Sequence, residues 1–156
     1  MTEIFNFHKV SDILTCSGQP TEEQLKQLAT EQYKVIINLA PHNNKFALPD
    51  ETASVKALDI EYHHIPVAFD NPQLSELTAF IKLMHKYSGQ KTLVHCAANY
   101  RASAFTGLYL FAAEKLDEPQ TQLFIEEVWQ PDAVWQQFID ESLEHLKEGE
   151  SLKAKG

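Results

Sequence analysis

The sequence predicts an α/β domain built on a central, mostly parallel sheet flanked by helices on both faces. Three observations carry that prediction. The runs KVIINL (34–39) and KTLVHC (91–96) are apolar and β-branched almost throughout, as strands covered on both sides must be. Between them lie segments with apolar residues at helical spacing, the most regular being Leu74, Leu77, Ile81, Met84 and Tyr87. Strands alternating with helices are joined most simply by crossovers into a parallel sheet.

The elements follow in order. Residues 1–18 scatter Ile4, Phe5, Phe7, Val10, Ile13 and Leu14 ahead of the turn-like Ser17-Gly18-Gln19-Pro20, and are read as short edge strands. Thr21 stands as an N-cap, with Glu22 and Glu23 in the first turn and Gln24 three residues on, so a helix is expected over 21–31. Pro41, Asn43-Asn44 and Pro49 break the chain before a short helix over Glu51 to Leu58, and IEYHHIPV (60–67) is a further strand. Asn71-Pro72 offers a capping side chain followed by proline, a helix start, and Ser88-Gly89 its end. Helices are expected over 102–116, 119–129 and 132–147, the last with Trp135, Phe138, Ile139, Leu143 and Leu146 on one face. The charged end, KEGESLKAKG (147–156), is expected to fray.

Composition bounds the function. With 156 residues, 44% hydrophobic and 22% charged, the chain suits one globular domain over 1–156, and a domain of this length buries roughly 70% of its unfolded surface without staples. No repeat and no long Pro/Gly/Ser linker divides it. Two cysteines, Cys16 and Cys96, make no disulfide framework. No apolar run reaches the ~18 residues of a membrane span, and the start lacks a secretory pattern, so a cytoplasmic protein without membrane contact is expected. A formal charge of −9 opposes nonspecific contact with nucleic acid, so an anionic ligand must be captured locally.

The segment VHCAANYRAS (94–103) puts a thiol, an arginine and a hydroxyl within eight residues where a buried strand turns into a helix. A tight turn there aims successive N–H groups inward, and the helix dipole reinforces the resulting anion site. The same field favours a sulfur anion at Cys96. Arg101 supplies a planar fork for two oxygens of a phosphate-like group. Ser103 is placed to hydrogen-bond the sulfur and stabilise it as a leaving group. Cys96 also reads as a small core residue, Arg101 as a solvent-facing helix residue, Ser103 as a packing residue and Asp70 as a turn residue ahead of Asn71-Pro72. His63 and His64 on one strand face opposite sides, and no pair of ligands stands at a recognisable spacing, so no metal or other cofactor is expected.

On these residues the chain resembles the cysteine-dependent protein tyrosine and dual-specificity phosphatases, whose signature is His-Cys, five residues, Arg, then Ser or Thr. His95, Cys96, Arg101 and Ser103 map onto it, with four residues rather than five between Cys96 and Arg101 and with Ala102 in the usual arginine slot. Asn99 stands where the signature has glycine, and asparagine tolerates positive φ better than most residues. SGQPT, a helix and KVIINLA are similar to the start of a bacterial group of small phosphatase-like domains, some fused to β-lactamase-like hydrolases. IPVAFDNPQLSEL ahead of a helix and a VHC strand looks like the dual-specificity pattern, which makes Asp70 the general acid.

That resemblance implies phosphomonoester hydrolysis through a phosphocysteine, with Cys96 as nucleophile, Asp70 as acid and then base, and Arg101 and Ser103 assisting. The loop residues His95, Ala97, Ala98, Asn99, Tyr100 and Ala102 would surround a phosphate- or sulfate-like oxyanion carried by a phosphorylated small molecule or phosphoprotein. His95 is expected to orient the loop rather than react. Two alternatives stay open. Rhodanese-like sulfurtransferases resemble the chain in having four residues before the loop arginine, and a noncatalytic phosphate-binding module would need only the anion nest. Cys16 would serve as a disulfide partner for an oxidised Cys96 if the two were close.

Overall fold

A computed structural model describes residues 4–155, with side chains through residue 148. The elements are β1 (His8–Ser11), β2 (Leu14–Ser17), α1 (Glu22–Thr30), β3 (Val35–Asn38), α2 (Glu51–Lys56), β4 (Glu61–His64), α3 (Leu74–Lys86), β5 (Thr92–His95), α4 (Tyr100–Ala112), α5 (Glu118–Glu126) and α6 (Ala133–Lys155). They form the predicted α/β fold: a five-stranded sheet in the order β1-β2-β5-β3-β4, parallel except for β1, which pairs antiparallel with β2.

The sheet divides the core because consecutive strand residues face opposite sides. Ile36 and Leu93 meet Leu25 and Leu28 of α1 and Val55 of α2. Val35, Ile37, Val94 and Cys96 meet Phe80 of α3, Phe105 and Leu108 of α4, and Trp135 and Ile139 of α6. Helix α4 is buried nearly all round, between the sheet on one side and α5 and α6 on the other. Gly107 permits that contact, since a Cβ there would come within 3.1 Å of the Phe124 ring.

Several boundaries differ from the expectations, each for a local reason. β2 is interior, between β1 and β5, so only β1 of the first 18 residues is an edge. β4 stops at His64, where the chain turns through Pro66. Helix α3 begins at Leu74 rather than at Asn71-Pro72, because Glu76 Oε1 accepts from the Gln73 N–H at 2.8 Å and makes Gln73 the cap. Asn71 Oδ1 instead accepts from Gln73 Nε2. Helix α4 starts at Tyr100, two residues early, which puts Arg101 in its first turn. Helix α6 continues past the expected end to Lys155, and of the tail expected to fray, Gly156 lies outside the described residues. Thr21 caps α1 as expected, its Oγ1 accepting from the Gln24 N–H while Gln24 Oε1 accepts from Thr21. Among the described residues no helix is long and apolar enough to cross a membrane.

Candidate functional site

Parallel strands β2, β5, β3 and β4 end on one edge of the sheet, and the loop after β5 opens there. Its shape is set by what its carbonyls do. Cys96 O lies 3.1 Å from His95 Nδ1, Ala97 O accepts from the Gln19 N–H at 3.0 Å, and Ala98 O accepts from Asn6 Nδ2 at 2.9 Å. In a trans peptide the carbonyl and the following N–H point in opposite directions, so tying Cys96 O and Ala97 O to the scaffold turns the N–H groups of Ala97 and Ala98 the other way. Asn99 then takes φ 73° and ψ 5°, a left-handed conformation that asparagine accommodates, and its side chain donates to Asn6 O at 2.9 Å rather than capping α4. The N–H groups of Ala97, Ala98, Tyr100, Arg101 and Ala102 find no acceptor among the described residues. Orphan donors at a helix start, clustered in one turn, are the kind of arrangement an anion would complete.

Cys96, 1% exposed, sits at the floor of this turn, its N–H donating to Ser17 O at 3.3 Å. The approach of β2 is close enough to require glycine next to it. A Cβ on Gly18 would lie 2.8 Å from Ala97 O and 2.9 Å from Phe5 O. Cys16 faces the same side of the sheet as Cys96, opposite Val94, and both thiols are free. Burial pushes the Cys16 thiol up to about 12, against a hydrogen bond with Asn99 and with a further push from the charge at Cys96. That neighbourhood could not be read from the sequence.

The remaining predicted residues divide. Arg101 is 8% exposed, and its Nη1 donates to Val67 O at 2.9 Å with the guanidinium 5.7 Å from the centre of the Phe69 ring. Its Nε is buried without a partner among the described residues. One arm of the fork therefore holds the loop after β4, while a second donor is uncommitted. Ser103 Oγ donates to Tyr100 O at 3.1 Å, inside its own helix, and not to the Cys96 sulfur. The reason is geometric: with α4 starting at Tyr100, the hydroxyl lies one turn along the helix and back-bonds to it. Ala102 is buried in the core beneath the loop. Asp70 is exposed at the turn after Phe69, without a hydrogen bond among the described residues. The segment carrying it is held at two points, Val67 O by Arg101 and Phe69 O by Trp135 Nε1 at 2.7 Å. Tyr100, 37% exposed, stacks on Trp129 at 4.5 Å and 5°, with Phe69 beside both.

The structure also brings in Glu51, Gln19 and Tyr62, to which the sequence reading gave no site role. His95 Nε2 lies 2.6 Å from Glu51 Oε2. Gln19 Nε2 donates to the other carboxylate oxygen at 2.7 Å. Burial alone would raise the Glu51 carboxyl, but the charge on His95 and hydrogen bonds from His95, Gln19 and Tyr62 outweigh it and hold the group below its ordinary value. Burial, then the charge on Glu51, pushes the Tyr62 phenol up. Tyr62 Oη is in turn within 3.0 Å of Asn38 Nδ2 and of His42 Nε2. Asn38 and His42 thus serve this network beside the loop. His63 and His64 face opposite sides as expected, His63 toward Tyr87 Oη and His64 stacked on His42 at 3.8 Å.

Comparison with known proteins finds the same fold elsewhere. A DUF442 protein of Shewanella putrefaciens, described as a candidate phosphatase, is 34% identical with a TM-score of 0.81, covering 90% of this chain and 93% of that one. The active form of Tk-PTP shares the fold at 20% identity and a TM-score of 0.74, covering 92% of this chain and 97% of that one. The Beta-lactamase hydrolase-like protein of Xylella fastidiosa is 28% identical over 96 residues, which are 60% of this chain and 22% of that protein. The chain therefore spans less than a quarter of the length of the curated relatives it matches. A family model described as DSP-PTPase phosphatase fused to NAD+ kinase matches residues 6–146, and the chain belongs to this phosphatase-like family.

Proposed function

We propose that the domain hydrolyses phosphomonoesters at the 96–101 loop through a phosphocysteine on Cys96. The observation that carries this reading is the set of unpartnered N–H groups at Ala97, Ala98, Tyr100, Arg101 and Ala102, gathered where the Cys96 thiol lies. Such a cup matches an oxyanion with several oxygens, and the spare Arg101 Nε adds a charged donor.

In the first step Cys96 Sγ attacks phosphorus, the phosphorus–oxygen bond to the leaving group breaks, and Asp70 gives its proton to the departing oxygen. In the second, water attacks the phosphocysteine while Asp70 takes its proton. The sulfur–phosphorus bond then breaks, releasing phosphate and restoring the thiolate. The amides hold the charge of the transferring group in both steps, so catalysis is mainly positioning and electrostatics. Asp70 fits this role because the segment leading to it is anchored at Val67 O and Phe69 O while its carboxyl has no hydrogen bond among the described residues.

A second reading, sulfur transfer, is favoured by one feature. Arg101 follows Cys96 by one residue fewer than the phosphatase signature, and one of its arms is spent on Val67 O. The test is a parallel assay of an aryl phosphate and of thiosulfate with cyanide. Phosphate release that disappears in Cys96→Ser supports the phosphatase. Thiocyanate formation without phosphate release supports sulfur transfer, and tungstate binding with neither activity leaves an anion-binding module.

A further inference from the structure

The chemistry outlined above uses the loop amides but does not say what keeps them aimed. Four facts converge on one side chain. Glu51, the first residue of α2, is 3% exposed, and each of its carboxylate oxygens is engaged. One oxygen holds Gln19 Nε2, and the Gln19 backbone N–H holds Ala97 O. The other holds His95 Nε2, and His95 Nδ1 holds Cys96 O. With a carboxylate and a carbonyl as its two partners, the imidazole has both ring nitrogens committed.

We propose that Glu51 is a positioning residue of the anion cup, bracing the carbonyls of Cys96 and Ala97 outward through His95 and Gln19 so that the amides of Ala97 and Ala98 face the oxyanion. The inference rests on the reading of the 96–101 loop as an oxyanion site. General energetics favour a specific role over a merely stabilising one. A buried ion pair is often no better for stability than well-packed apolar side chains of the same volume, so one that touches two consecutive carbonyls of a binding loop is better explained by geometry. The two arms also reach the loop from different sides. Gln19 follows β2 and His95 ends β5, so Glu51 of α2 ties three separate chain segments at the point where the amides must be held. Preorganised donors of this kind need no rearrangement when charge arrives.

The test compares Glu51→Ala and Glu51→Gln with the wild type, in the full chain, by tungstate titration and by the amide resonances of Ala97 and Ala98. Glutamine can accept from Gln19 and donate to a neutral His95, so it preserves the brace while removing its charge. Tungstate affinity is expected to fall at least tenfold in Glu51→Ala and to stay within threefold of wild type in Glu51→Gln. The Ala97 and Ala98 resonances should move in Glu51→Ala even without tungstate. A folded Glu51→Ala that binds within twofold of wild type overturns the proposal, as does a Glu51→Gln no better than Glu51→Ala, which would assign the effect to charge. If Glu51→Ala does not fold, Gln19→Ala replaces it. A threefold or greater loss then supports the brace, and unchanged affinity overturns it. If the wild type binds no tungstate, the oxyanion reading fails, while the resonances still decide whether Glu51 sets the loop conformation.

Discussion

His95 Nε2 and Glu51 Oε2 lie 2.6 Å apart with both side chains sealed from solvent, although 44 residues separate them in the chain. The pair joins the strand that runs into Cys96 to a helix from the other face of the sheet.

Acid should weaken this joint. The Glu51 carboxyl is held below its ordinary value in the folded protein, so its stabilisation is complete above the unfolded value of about 4.3 and is lost as pH falls through the folded value. Urea unfolding between about pH 5 and pH 3 should show a stability loss that Glu51→Gln removes. His64, lowered by burial and by the charge of stacked His42, acts in a separate window beginning near pH 6.5. At neutral pH, removing one partner of such a pair typically costs about 3 kcal/mol, so Glu51→Ala should show a lower denaturation midpoint.

Gly18→Ala should disturb the loop directly. The new methyl would meet Ala97 O and Phe5 O, both backbone atoms that cannot swing aside. Overpacking of this sort costs about 1–3 kcal/mol. Calorimetry should show the lower midpoint, and tungstate titration a weaker site because Ala97 O is one of the tethered carbonyls.

The two cysteines should react unequally. With its thiol pushed up to about 12, Cys16 holds a thiolate fraction of only about one in ten thousand at pH 8. Iodoacetamide should therefore label the native protein at Cys96 alone, as mass spectrometry of the digested protein would show. Tungstate should protect that site. Labelling of Cys16 at a comparable rate would contradict the raised Cys16 thiol.

Turnover should separate the catalytic roles. Cys96→Ser is expected to lower aryl phosphate hydrolysis by about a thousandfold or more while leaving tungstate bound. Asp70→Asn should slow hydrolysis of an alkyl phosphate by about a hundredfold and flatten one limb of its pH profile, since a poor leaving group depends most on the acid.

Arg101→Lys should weaken tungstate about tenfold, because lysine cannot both reach Val67 O and offer a second donor in the plane of the guanidinium. Unchanged affinity in the folded variant would mean that Arg101 only holds the loop after β4.

Much of this was legible in the sequence, and for identifiable reasons. Strand β3 and strand β5 announced themselves because both faces are covered, and a doubly covered strand is apolar at most positions. The capping box at Thr21 and the left-handed Asn99 follow from local stereochemistry, which a few neighbouring residues decide. The start of α3 was misplaced because Asn71-Pro72 and Gln73 with Glu76 both offer caps, and the difference between two local options is small. Arg101 entered as a phosphate fork and emerged with one arm on Val67 O, a contact across 34 residues that no spacing within the loop reveals.

By itself the sequence determined the order of elements and the strand-to-helix turn that follows Cys96, because each depends on residues adjacent in the chain. Only the tertiary structure decided what holds that turn in shape. Glu51 carries no local pattern that marks it as buried, and a carboxylate reads as a surface residue until a distant imidazole and a distant amide are seen to occupy both its oxygens. Long-range pairing of polar groups is set by how sheet and helices pack, and sequence periodicity reports which face an element buries but not which buried partner it meets.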